Sequence, residues 1–422
     1  MIPGLANIIR IPDLRRKFMF TIGMLAIFRL GSHIPVPGVD VVRLQTLFNQ
    51  QGNVFGFIDL FVGGALSRFA LFALGVFPYI TSSIIFSLLE VVFPRLKEMH
   101  REEGEAGRRR IGQYTLYLTV PLALIQAIGQ TLLIRNLGAL PDARPLVVGE
   151  VVTTLVAGTM VLTWMGSIMT EYGIGNGVSL LIFGGIVSRL PTQLRQTIGL
   201  VKVGESSMLF AIYDVAMILA SIVLVIFVTQ AVRKVPIQYA KRIVGRRMMG
   251  GQTTHLPIRI ASAGVIPIIF AISVLQFPTT VAQFSAWPWL QRLGSALSLS
   301  SPLGSGLYFV LIVVFTYFYT AVTFDPEDVS DNIKKYGGFI PGIRPGRPTS
   351  DYLTKILERL TLVGAFFLGL IAVGPIALGR FTGQLTLYLA GTSLLIVVGV
   401  ALETMKQIEA YVLMRHYEGF MK

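Results

Sequence analysis

The sequence predicts an all-α polytopic membrane protein with ten transmembrane helices in two inverted halves of five. Three observations predict it. Apolar residues make up 53% of the 422-residue chain and charged residues only 14%, against about 25% charged in a typical soluble domain; the mean hydropathy is +0.68. The apolar residues come in runs that suit a bilayer, which takes ~20 residues per helix at 1.5 Å rise. Lys and Arg gather between alternate runs rather than evenly along the chain.

Ten runs meet the length requirement, at roughly 17–34, 68–92, 111–134, 149–170, 178–196, 212–232, 259–280, 304–323, 358–376 and 383–402. The fifth is interrupted by Arg189, Pro191 and Arg195. An even number places both termini on one side. The segments sharing that side are 1–17, 93–110, 171–177, 233–259, 324–359 and 403–422, and they hold 26 of the 36 Lys and Arg residues. The basic side is expected to be cytoplasmic. A miscount of one span would scramble this segregation, so the charges support the count. The expected division is an N-terminal half over 1–200, a C-terminal half over 201–403 and a cytoplasmic tail over 404–422. Five spans per half require the second half to be inverted, and inverted repeats commonly enclose a path at their interface. No sequence repeat is evident, so the two halves rest on parity.

The net charge of +14 does not point to direct DNA binding. The basic residues sit between spans, where they set topology and offer a surface to anionic partners. Cysteine is absent, which excludes disulfides and thiolate metal sites. His33, His100, His255 and His416 lie at the ends of apolar runs or outside them, so no metal, cofactor or proton relay is expected at depth. Asp59, Glu90, Glu150, Glu171 and Asp214 also lie at or beyond span ends, which removes the midplane carboxylate that ion-coupled transporters use. Neither a nucleophile elbow, nor a zinc-protease motif, nor a phosphate-binding loop occurs. No enzymatic activity is expected, and if the chain moves something uphill the energy must come from a partner. Arg10, Arg15, Arg16 and Lys17 precede the first run with no small-residue cleavage motif after it, which suggests an uncleaved first span.

Several segments break the plain pattern. Residues 55–67, FGFIDLFVGGALS, are moderately apolar but too short to cross. They suit either an interfacial loop or a re-entrant half-helix sheltered by protein, where irregular backbone is tolerated. The Gly63-Gly64 pair allows a hinge or a close approach. Gly75, Pro78, Pro121, Gly184, Gly185, Gly264, Pro267, Gly364, Gly369, Gly374 and Pro375 interrupt the runs. Close helix packing accounts for each one, and together they suit helices that bend or slide. The polar residues Thr81, Ser82, Ser83, Gln126, Thr392 and Ser393 fit helix–helix hydrogen bonding. Loops 233–259 and 324–359 are long, and they mix charge with Val235, Ile237, Ile243, Met248, Phe339 and Ile340. Topology alone accounts for basic loops, but this mixture also suits docking of a large partner with acidic or phosphate groups.

Eight blocks carry a family resemblance: FRLGSHIPVPGVD (28–40), ALGVFPYITSSII (73–85), EAGRRRIGQYT (105–115), TEYGIGNGVSLLIF (170–183), THLPIRIASAGVIPIIF (254–270), DNIKKYGGFIPGIRPG (331–346), RLTLVGA (359–365) and GTSLLIVVG (391–399). In order, along nearly the whole chain, these resemble the bacterial SecY family, the channel subunit of the Sec protein translocon. The resemblance implies a clamshell of two five-helix halves around an hourglass pore. Its aliphatic ring would be Ile80, Ile84, Val178, Ile182, Ile269 and Ile396; the family motif often has Ile where Val178 stands. A re-entrant plug helix would lie near 57–67, with Asp59, Leu60, Phe61, Val62, Gly63, Gly64, Ala65 and Leu66. A lateral gate would lie between spans two and three and spans seven and eight, with Thr81, Ser82, Ser83, Gln126, Gly264 and Pro267 as its elements. Arg344, then Arg242, Arg246 and Arg247, would dock the motor ATPase SecA or the ribosome. The resemblance further implies the small subunits SecE and SecG as partners. It also implies secretory preproteins with signal sequences as clients. The location would be the inner (cytoplasmic) cell membrane, in contact with the lipid bilayer and with both termini cytoplasmic.

A ring of branched aliphatic side chains offers no hydrogen bonds to water or ions and can gate by dewetting. The alternative class is an inverted-repeat secondary transporter of small solutes, which predicts a polar or charged midplane site instead. An intramembrane protease needs a nucleophile with a base at depth. An insertase or scaffold without an open pore predicts the same span pattern.

Overall fold

The computed structural model describes residues 11–51, 59–93, 95–96, 99, 104–142, 144–203, 208–239, 242–244, 247–249, 253–261, 264–284, 287–299, 301–382 and 385–420. Each of the ten apolar runs meets a helix: α1 Pro12–Gly31, α3 Phe77–Val92, α4 Gly104–Asn136, α5 Pro145–Tyr172, α6 Gly177–Val203, α7 Met208–Gln230, α8 Ile266–Phe284, α10 Pro302–Thr323, α12 Arg347–Thr382 and α13 Leu385–Phe420. Shorter helices α2 Val41–Gln51, α9 Pro288–Leu297 and α11 Pro326–Lys335 stand between them. Among the described residues, five helical stretches are long and apolar enough to cross a membrane: Gly104–Asn136, Pro145–Tyr172, Pro302–Lys335, Arg347–Ala377 and Gly391–Met414. Shorter apolar helical stretches lie in α3, α6, α7 and α8. The chain is a multi-pass α-helical membrane protein.

Helix starts follow local chemistry. Pro stands in the first turn of α1, α3, α5 and α10, where its missing N–H costs nothing. Asp40 caps α2 by accepting from Val42 N and Arg43 N, each at 3.1 Å. Ser301 caps α10 through Gly304 N at 2.8 Å, and Asp325 caps α11 through Glu327 N.

Helices from the first five spans meet those from the last five along two seams. On one, α6 packs against α7 and α13; on the other, α8 packs against α3 and α4. Within the later spans, α8 also packs on α10, α10 on α12 and α12 on α13.

The loops hold structure that the apolar pattern did not forecast. Strands β1 Val232–Tyr239 and β4 Thr253–Arg259 pair antiparallel, from Val232 opposite Arg259 to Gln238 opposite Thr253. The two-residue strand β5, Gly338–Phe339, adds to the free edge of β1, giving the order β4-β1-β5. The sheet therefore joins the two long basic loops. Its inward residues alternate along β1, where Val235 and Ile237 are buried between exposed neighbours. Val235 belongs to a compact core in which it packs with Ile258, Ile340 and with Leu353 and Ile356 of α12. A second ribbon pairs β2 Arg242–Val244 with β3 Arg247–Met249.

Three boundaries differ from expectation. The second span is helical only from Phe77; residues 62–76 run as successive turns apart from a single β-bridge residue. The helix of the seventh span, α8, begins only at Ile266, after β4 has taken residues up to Arg259. The expected tail over 404–422 continues α13 as helix to Phe420. Its start is docked: Gln407 Oε1 accepts from Gly175 N at 2.8 Å, and Lys17 Nζ donates to Tyr411 Oη at 3.2 Å while lying over the ring. Leu14 of α1, Ile174 and Ile408 close a small core there. The first turn of α1 and the C-terminal part of α13 thus lie side by side.

Candidate functional site

The turn-rich segment 59–76, ahead of α3, is largely buried. Asp59, Leu60, Phe61, Val62, Ala65 and Leu66 are each at most 5% exposed. Asp59–Phe61 form one helical turn, closed by two crossed bonds: Gly64 N donates to Asp59 O at 2.9 Å and Gly63 N to Leu60 O at 3.3 Å. This is a Schellman closure, which requires the left-handed backbone that Gly63 supplies with φ 69°. The next turn repeats it, with Ala70 N to Ala65 O at 2.7 Å and Phe69 N to Leu66 O at 3.0 Å. Here the left-handed position falls on Phe69, φ 44°. Its ring is buried in the second core with Leu44, Leu66 and Leu155, and that burial holds an unfavourable backbone in place. An isolated bridge between Pro35 and Ala70, with Val36 N to Phe69 O and Leu71 N to Ile34 O both at 2.9 Å, ties the segment to the end of α1.

The six aliphatic candidates come from four helices. Ile80 and Ile84 share one face of α3 at four-residue spacing, and Val178 and Ile182 do the same on α6. Ile269 lies on α8 and Ile396 on α13. Ile80, Ile84, Ile182, Ile269 and Ile396 are buried, and Val178 is partly so. All six fall in or against one apolar cluster, which also contains Phe61, Val62 and Ala65 of the turn segment. The structure thus brings together residues from both seams and from both sequence halves.

The polar candidates are distributed differently. Ser82 is fully buried and donates to Thr115 O of α4 at 2.6 Å, so it joins α3 to α4 rather than reaching α8. Thr81 donates to Phe77 O of its own helix at 3.0 Å. Ser83 and Gln126 are half-buried. Gly264 lies outside the helix, in the turn before α8, with φ 60°; Pro267 is buried in the first turn. At one end of the α3/α4–α8/α10 side lies a cleft of about 580 Å³. Glu90 of α3, Arg108 of α4, Phe318 and Val322 of α10 and Asp328 of α11 line it.

Of the docking candidates, Arg344 is exposed in the turn between β5 and α12, and its carbonyl accepts from Thr349 Oγ1 at 2.9 Å. Arg242 opens β2 and Arg247 opens β3, while Arg246 lies outside the described residues.

Two residues escaped the motif reading. Arg189, seen in the sequence as an interruption of the fifth span, forms an ion pair with Asp59. Arg29, inside the first span, donates to Gly63 O at 2.6 Å. The available signal was that both cations sit in apolar runs, where an unpaired charge is costly.

The family model that matches the chain is SecY, over residues 70–405. The protein translocase subunit SecY of Halalkalibacterium halodurans is 46% identical over 433 residues, covering 100% of each chain. That of Thermus thermophilus is 45% identical over 431 residues, covering 100% of this chain and 98% of the relative. The structure also resembles a solved protein-conducting channel with TM-score 0.66 at 19% identity, covering 94% of this chain and 92% of that one. It resembles Sec61 in the canine ribosome–channel complex with TM-score 0.64 at 17% identity, again covering 94% and 92%. Helical architecture, full-length identity and the matched family together show that the chain belongs to the SecY family of protein translocase subunits.

Proposed function

We propose that the chain forms the pore through which unfolded secretory polypeptides cross the inner cell membrane, with its aliphatic cluster as the constriction. One observation carries this reading: six branched side chains on α3, α6, α8 and α13 gather in one cluster against the buried segment 59–66. An apolar waist disfavours water and ions, yet it has no fixed polar geometry that would select or retain a passing chain. Segment 59–66 acts as the plug of the resting pore. The α6–α7 seam serves as the hinge between halves 1–200 and 201–403. The α3/α4–α8/α10 side opens laterally to release signal sequences and membrane helices into lipid. Thr81, Ser83, Gln126 and the Gly264–Pro267 entry to α8 are the adjustable parts of that side. Ser82 keeps α3 and α4 together as one wall.

The sheet joining the two basic loops is the docking platform, with both termini on the same cytoplasmic side. Solved neighbours in the fold include channels bound to ribosomes. Exposed Arg344, with the ribbon bearing Arg242 and Arg247, suits the ribosome or the motor ATPase SecA, whose energy drives transport. SecE and SecG complete the assembly.

The test is a polar substitution at the waist. Ile80→Asn or Ile396→Asn in the reconstituted complex is expected to raise resting ion leak and relax the demand on signal sequences. Unchanged leak together with altered uptake of a small solute would overturn the pore and favour a secondary transporter.

A further inference from the structure

The plug segment is fastened by polar contacts that its apolar burial does not account for. Asp59, 2% exposed, pairs with Arg189 of α6. Asp59 Oδ1 also accepts from Ser67 N at 2.9 Å, and Arg189 Nη2 donates to Ser67 Oγ at 3.3 Å. From α1, Arg29 Nη1 donates to Gly63 O at 2.6 Å and to Ser188 Oγ, the neighbour of Arg189, at 3.1 Å. Gly64 lies flat against the Arg189 guanidinium, where a Cβ would stand 3.1 Å from Nε. Two arginines on two helices therefore hold one turn of chain. Removing either partner of a buried pair leaves an uncompensated charge, so the grip resists displacement of the turn.

The grip is also weakened from within. Arg29 lies in the electrostatic range of both Arg68 and Arg189. Asp59 pairs with Arg189 alone among these three, and repulsion between like charges offsets part of that attraction.

We propose that Arg189 and Arg29 are positioning residues that latch the plug shut through Asp59 and the Gly63 carbonyl, and that the latch sets how strong a signal sequence must be to open the channel. The inference rests on the pore reading above. When the outward turn leaves, Asp59 and both guanidiniums exchange each other for water, and no covalent step is involved.

The test uses the purified channel complex in planar bilayers, together with export of a preprotein carrying a shortened signal sequence. Arg189→Ala and Asp59→Asn are each expected to raise resting conductance about tenfold, equivalent to ~1.4 kcal/mol of lost closed-state preference. Export of the weak-signal preprotein rises in parallel. The double exchange Asp59→Arg with Arg189→Asp restores both towards the parent, which a merely structural role would not do. Arg195→Ala, on the same helix, leaves both unchanged. The proposal is overturned if the single variants stay silent while Ile396→Asn leaks, or if they leak but the charge exchange does not recover. If Ile396→Asn is silent too, the pore reading itself has failed and the latch falls with it.

Discussion

Ser82 of α3 donates its hydroxyl to the carbonyl of Thr115 on α4 at 2.6 Å, with both residues buried. Thr119 donates to the same carbonyl at 2.7 Å. The two helices are thereby joined at mid-length by a bond that water cannot replace. In a membrane such a bond is worth about 0.6 kcal/mol and at most ~1.7. Ser82→Ala is therefore expected to lower the thermal midpoint of the purified complex slightly and to leave resting leak unchanged, because the α3–α4 wall moves as one piece. A large rise in leak would show that Ser82 faces the seam with α8.

Gly185 of α6 and the Phe61 carbonyl approach so closely that a Cβ would stand 2.4 Å from the oxygen. The atom in the way is backbone, so the neighbour cannot turn aside. Gly185→Ala must push the turn at Phe61 off α6, at a cost of about 1–3 kcal/mol for overpacking. Elevated resting conductance in a complex that still assembles is the expected outcome.

Gly175 N donates to Gln407 Oε1 at 2.8 Å, beside the Lys17–Tyr411 contact. Gln407→Ala leaves that amide without its acceptor and costs about 1 kcal/mol. The C-terminal part of α13 should then become more open to proteolysis, read as faster cleavage after residue 403 in the intact complex. Unaltered cleavage would mean that the Lys17–Tyr411 contact and the core of Leu14, Ile174 and Ile408 hold this stretch without Gln407.

Arg344 makes its hydrogen bond through the backbone, and its side chain is exposed. Arg344→Glu should change stability by less than about 0.5 kcal/mol. Affinity of the reconstituted channel for the motor ATPase or the ribosome should fall, with a steeper loss at low salt. Retained affinity would move the docking surface elsewhere on the sheet.

The spans were legible because lipid imposes one strong rule, about twenty apolar residues per crossing, and each of the ten runs read by that rule meets a helix. Where helix begins within a run was not legible. Residues 68–76 are as apolar as those after them, but Phe69 and Gly75 adopt left-handed backbone, and helix waits for Pro78 in its first turn. The alternation of Val235 and Ile237 was present in the sequence, but it was hidden among basic residues that topology alone explained. The aliphatic positions were recognised by family resemblance, since an isoleucine facing a pore and one facing lipid look alike in a hydropathy pattern. The pairing of Asp59 with Arg189 joins residues from distant spans, and local spacing carries no record of it.

The account depends on translocating chain passing between Ile80 of α3 and Ile269 of α8. Its most direct measurement is site-specific photo-crosslinking from probes at these two positions to a stalled secretory polypeptide in the assembled channel. Adducts from both, and from Ile396, are the predicted result. Crosslinks confined to lipid-exposed positions such as Val161 or Phe227, with silence at Ile80 and Ile269, would contradict it.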